Sequence, residues 1–279
     1  MSINAEKVKR YVYIAILAVL MAGITVCEIW RKQIFGEGAQ GEELYSMTTR
    51  LLGGVLCLLL VFYCEYTEIL KIRLGELSKA ILFTLPCWVI ALNNFPIIPY
   101  ITGEAYIDGR LSMILFYAFQ CLCVGFFEEM AFRGCIFMMV LQKKRRTVAD
   151  LFWCIVISSA IFGAVHFVNI FMGASPISVI LQIGYSFLIG GMCSVVLMKT
   201  GCLWHCVLIH AVYNFCGGVV PRLGGGVIWT VPEIALTAIV AVIVTVYIIV
   251  SLIRIDPGKL GYMFNEKRFA GSGEENVNL

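Results

Sequence analysis

Two adjacent acids and an arginine interrupt one of the most apolar parts of the chain, Phe126-Phe127-Glu128-Glu129-Met130-Ala131-Phe132-Arg133-Gly134. Ionisable side chains inside a membrane-spanning segment are costly, so they mark functional sites by default. Glu129 and Arg133 are four residues apart with the acid on the N-terminal side, which predicts an ion pair on one helix face. Glu128 is rotated about 100° from Glu129 and about 140° from Arg133, so it has no partner within its own helix. A carboxyl left unpaired in a low-dielectric site suits general acid or base work.

The chain has three histidines, His166, His205 and His210, and all fall in apolar stretches. His210 and Asn214 share a helix face at i,i+4, whereas His205 lies about 180° from Asn214 around the same helix. His210 and Asn214 can therefore address one site, and His205 points away from it. Depth adds a second criterion at about 1.5 Å per residue. Counted from the inner ends of their spans, Glu128 lies roughly 20 Å up, His166 roughly 25 Å, His210 roughly 15 Å and Asn214 roughly 21 Å. Polar residues from three helices thus share one broad layer, which scattered packing residues have no reason to do.

The elements that must position these residues are long apolar helices. Eight stretches are long enough to cross a bilayer, near 11–30, 47–64, 80–99, 111–140, 150–169, 176–198, 201–220 and 230–253. Polar breaks run from Arg31 to Glu43, Glu65 to Lys79, Thr102 to Arg110 and Gln142 to Arg146. The expected fold is all-α, a polytopic membrane protein with about eight transmembrane helices in a single domain, 1–279. The residues with chemistry sit at about 111–220, and a mobile polar tail is expected over about 256–279. The first apolar run follows Lys7, Lys9 and Arg10 but is too long for a signal peptide and lacks a cleavage site, so it reads as a retained span.

With the N-terminus inside, alternate loops place fifteen Lys and Arg on the inner side and five on the outer, and Arg133 within a span completes the 21. That asymmetry predicts an N-in/C-in topology in the cell membrane.

Composition excludes other classes. Of 279 residues, 60% are hydrophobic and 14% charged, far from a soluble domain. A net charge of +3 gives no footing for nucleic acid. The 12 cysteines form no C-x-x-C pair and lie mostly in apolar runs, where they read as small buried side chains rather than a disulfide framework.

Glu128-Glu129-x-x-x-Arg133, Phe162-x-x-x-His166 and His210-x-x-x-Asn214, in this order and within spans, resemble the three motifs of the CPBP family of intramembrane proteases. That family comprises the type II CAAX prenyl endopeptidases and bacteriocin-processing (Abi) proteins. The resemblance covers about 120–220, and Asn93-Asn94-Phe95-Pro96 is similar to a stretch of some bacterial members. It implies that Glu128 activates the hydrolytic water, that His166 helps to hold it, and that His210 and Asn214 stabilise the oxyanion. Glu129 with Arg133 would fix the geometry around them. The implied partners are a membrane-associated peptide or protein substrate and the lipid bilayer.

The family is also labelled metalloprotease, so a cofactor-free glutamate mechanism stands beside a zinc alternative using His166, His210 and Glu128. Cys206, four residues before His210, is a further candidate ligand. H-E-x-x-H is absent. Other classes remain: a non-catalytic scaffold of the same fold that binds a membrane partner such as a sensor kinase, and, more distantly, a proton-coupled transporter.

Overall fold

The structure, a computed structural model, describes residues 3–36 and 39–264. The chain runs through α1 (Ile3–Ile29), α2 (Arg31–Phe35), α3 (Ala39–Tyr63), α4 (Leu77–Asn93), α5 (Ile97–Thr102), α6 (Leu111–Glu129) and α7 (Met138–Leu141). It continues through α8 (Val148–Val165), α9 (Val168–Phe171), α10 (Pro176–Thr200), α11 (Leu203–Leu223) and α12 (Val231–Ile253). The molecule is a nearly all-α polytopic membrane fold, 83% helical. Seven of the described helical stretches are long and apolar enough to span a bilayer, and the first apolar stretch, Tyr11–Cys27, is shorter.

Local chemistry sets the helix boundaries around the site. Thr147 and Asp150 close a reciprocal capping box at the start of α8. The Ser175 side chain accepts from Ser178 N–H, with Pro176 following at the first helical position of α10. Gly201, at φ 62°, ends α10 in a left-handed turn that side chains disfavour. It makes possible the abrupt reversal into α11.

Two departures from regular α-helix matter most. Between α6 and α7, Met130–Phe137 form a π-helix, so Leu111–Leu141 is a single 31-residue span with a π segment in its second half. A π turn inserts an extra residue, which rotates the downstream half of the span by about 100° relative to a continuous α-helix. All residues from Glu129 to Cys135 are buried, the pattern of a helical stretch with neighbours on every side. Ser158 on α8 donates to the Phe132 carbonyl at 3.2 Å, satisfying a π-segment backbone group with a neighbouring helix. The second departure is at the end of α8, where His166 caps the helix and α9 begins two residues later. The stretch expected as one span over 150–169 is therefore two helices meeting at a histidine.

The breaks also carry structure. Ala105–Ile107 (β1) pairs antiparallel with Gly224–Gly226 (β2), in the register Ala105↔Gly226, a small addition to the expected all-α fold. At the opposite end, Pro257–Phe264 form a 3-10 helix with Leu260, Met263 and Phe264 buried. Phe264 packs edge-on to Tyr66 at 5.9 Å, and the Arg145 guanidinium sits 4.5 Å from its ring centre. The polar tail expected from 256 thus begins as a packed segment, because three apolar side chains at i, i+3 and i+4 have a surface to cover. Residues 265–279, including Gly271 to Gly273, lie outside the described residues. The Glu65–Lys79 break, the 142–147 loop and Pro257–Phe264 thus meet at one end of the bundle, grouping the loops that the charge count assigns to the inner side.

Candidate active site

Helix α11 packs along α6, and the contact depends on Gly125. A Cβ there would lie 2.9 Å from the Val207 carbonyl and 3.1 Å from the Ala211 amide, so only glycine permits this approach of backbones. His210 lies between these two contact residues on α11, and one turn past Gly125 on α6 both glutamates meet it. His210 Nδ1 lies 2.6 Å from Glu129 Oε1, and His210 Nε2 lies 3.4 Å from Glu128 Oε2. Adjacent residues on a helix diverge by about 100°, yet both acids reach one imidazole because they engage its two different nitrogens.

Arg133 completes the cluster. Its Nη1 donates to Glu129 Oε1 at 3.0 Å, so the expected ion pair is present. Its guanidinium also lies 4.6 Å from the centre of the Phe162 ring, and Phe162 packs against His166 and His210 at 5.3 and 5.9 Å. A Cβ at Gly190 would meet Arg133 Nη2 at 2.8 Å, so α10 leaves space for the arginine by carrying no side chain there. Glu129 and Arg133 are only 0% and 1% exposed, while Glu128 is 16% exposed.

Glu128 faces outward into a cavity of about 140 Å³. The same cavity is lined by His166, His210 and Asn214, so the structure brings together all four residues that the sequence placed in one layer. His166 Nδ1 lies 2.9 Å from the Phe162 carbonyl. A carbonyl only accepts, so Nδ1 carries the hydrogen, and Nε2 is the ring nitrogen left toward the cavity. His205 is half-buried and does not line this cavity.

The structure revises two expectations. Glu128, without a partner in its own helix, finds one across the helix interface in His210. Glu129, expected to serve Arg133 alone, also clamps His210. It shares one oxygen between the two, and its Oε2 has no partner among the described residues.

Sequence reasoning missed the contribution of α10. Gln182, Tyr185, Ser186 and Ile189 line the cavity at i, i+3, i+4 and i+7, a single helix face. The signal was an amide, a phenol and a hydroxyl at helical spacing inside the 176–198 stretch. Gln182 lies roughly 27 Å up from Thr200, at the depth of His166.

For a metal, three donor atoms must converge. Among the described residues they do so within 4.8 Å at Glu129, Cys193 and Cys206, all buried. Cys206 Sγ is already engaged with the Cys193 carbonyl at 3.2 Å. His166, His210 and Glu128 are not among the described groups whose donor atoms lie within 4.8 Å of one another. All 12 cysteines are free thiols, ten of them buried.

Comparison with known proteins adds one finding. Residues 110–216 match the family model described as type II CAAX prenyl endopeptidase Rce1-like. The matched segment begins just before α6 and ends within α11, so it contains Glu128, Glu129, Arg133, His166, His210 and Asn214. The match is consistent with the CPBP family of CAAX proteases, and at family level it supports a CAAX-protease-like intramembrane endopeptidase. A peptide hydrolase of this kind acts on a membrane-associated peptide or protein. Together with the long apolar helices, the match supports a multi-pass membrane protein. No curated protein and no solved structure matches the chain.

Proposed function

We propose that this protein is an intramembrane endopeptidase that hydrolyses a peptide bond of a membrane-associated protein or peptide with a water activated by Glu128. The observation that supports this most is the exposure of Glu128 alone, among the buried charges of the cluster, to a cavity shared with His166, His210 and Asn214. In this reading Glu128 takes a proton from a water held by His166 Nε2, and the water oxygen bonds to the scissile carbonyl carbon. The developing oxyanion accepts from His210 Nε2–H, on a ring held by Glu129 at Nδ1, and from the Asn214 amide. Glu128 then returns the proton to the leaving amine as the C–N bond breaks.

Glu129 holds the His210 ring by Nδ1 and Arg133 holds Glu129, so this pair acts on orientation and charge. No step requires a metal. The protein would sit in the cell membrane with both termini inside.

A peptide library presented to the protein in liposomes tests the reading. Wild type is expected to cleave and Glu128→Gln to lose about 10²–10⁴-fold in rate at unchanged folding. Equal cleavage by both would remove the general-base assignment, and no cleavage by either would favour the scaffold reading.

A further inference from the structure

The cavity has a wall that the reaction scheme does not use. Gln182 on α10 accepts from Asn169 Nδ2 at 2.8 Å through its Oε1. Its own Nε2 has no acceptor among the described residues, yet it is not sealed in the interior. The side chain lines the cavity that holds Glu128 and His166. Asn169 belongs to α9, whose position is fixed by backbone bonds on both sides: its N–H donates to the His166 carbonyl at 3.0 Å, and its carbonyl accepts from Ala174 N–H at 3.0 Å. One short turn thus connects the site histidine to the residue that orients Gln182. Tyr185, three residues on, lines the same cavity as Glu128, so this face of α10 reaches the reacting groups.

With its oxygen turned to Asn169, the Gln182 amide presents its N–H donors to the cavity. The group in a bound peptide that needs donors, and that every substrate carries regardless of sequence, is the backbone carbonyl. Burying such a carbonyl without a partner is unfavourable. We propose that Gln182 Nε2 binds a backbone carbonyl of the substrate beside the scissile bond, and that Asn169 is a positioning residue that acts only through Gln182. This assignment rests on the endopeptidase reading.

The test uses the full-length protein in liposomes with a library peptide whose cleavage depends on Glu128. Gln182→Met preserves length and removes the donors. It is expected to raise KM about three- to tenfold with kcat within twofold, since one neutral hydrogen bond contributes about 0.5–1.5 kcal/mol. The same loss should appear in the affinity of that peptide, fluorescently labelled, for Glu128→Gln compared with Glu128→Gln/Gln182→Met, where no chemistry intervenes. Gln182→Glu, which offers acceptors only, should be no better than Gln182→Met. Asn169→Leu should raise KM in the wild-type background and add nothing to Gln182→Met, a coupling that general disruption would not produce.

KM and affinity within twofold for Gln182→Met, full function of Gln182→Glu, or additive effects of the two sites would each overturn the assignment while leaving the endopeptidase reading intact. The absence of any Glu128-dependent cleavage would overturn both.

Discussion

The two glutamates divide the centre of the molecule into a sealed side and an open side. On the sealed side, Glu129, Arg133, Phe162, Cys193 and Cys206 are at most 2% exposed, and the inner half of α10 beyond Ile189 is almost wholly buried. On the open side, Glu128 faces the cavity, and the outer half of α10 exposes Ile180, Leu181, Tyr185 and Leu188. The same chemical group therefore meets opposite environments one residue apart. The sealed side holds charge in contacts between Glu129, Arg133 and His210, and the open side can exchange protons with a substrate. Structure and reactivity are separated by a single peptide unit, with the His210 imidazole as the contact between them.

The largest expected effects break this comparison at its centre. Glu128→Gln should abolish cleavage and leave the melting temperature in detergent near wild type. Glu129→Ala should do the reverse first: it strands Arg133 and releases His210 Nδ1, and breaking a buried pair costs about 3–5 kcal/mol. Adding Arg133→Ala to Glu129→Ala should restore part of the melting temperature but not the activity, because His210 remains unclamped. Recovery of both would show that Glu129 serves only the arginine.

Next in size is a pair of glycines on α10. A Cβ at Gly190 would lie 2.8 Å from Arg133 Nη2 and 2.9 Å from Ser159 Oγ, whereas one at Gly184 meets nothing within 4 Å. Gly190→Ala should therefore destabilise by about 1–3 kcal/mol through overpacking. Gly184→Ala should be neutral or stabilising by up to about 1 kcal/mol through helix propensity. Thermal melts of the two variants read the difference directly, and equal losses would mean that the outer half of α10 is as tightly held as the inner.

Topology gives a qualitative readout. If both termini are inside, a single cysteine introduced at Arg145, in a background without the native 12, stays unlabelled by an impermeant reagent from outside, while one at Asp108 is labelled. The opposite pattern would invert the bundle in the membrane. The smallest effect belongs to His205→Ala, which should retain cleavage within about twofold while His210→Ala loses it, since His205 lies off the cavity. Equal losses at unchanged protein level would contradict the helical-face separation.

Much of the site was legible in the sequence because a membrane makes polar residues conspicuous. Glu128, Glu129, Arg133, His166, His210 and Asn214 stood out against an apolar background, and i,i+4 spacing correctly paired Glu129 with Arg133. Gln182 and Tyr185 were passed over because an amide and a phenol carry no charge to attract attention. The π segment left no periodic signature, since a stretch buried on all sides is apolar throughout whichever helix it adopts.

Amino-acid types and their spacing by themselves determined that the chain spans a membrane repeatedly and that acids, histidines and an amide share a depth, because hydropathy and helical rise are local properties. Only the tertiary structure decided which of them touch. That His210 bridges both glutamates depends on the Gly125 contact between two helices whose site residues, Glu129 and His210, are 81 positions apart in sequence, and that Gln182 presents donors depends on Asn169 across a turn. Distances between helices depend on the side chains of both partners at once, which no single stretch of sequence encodes.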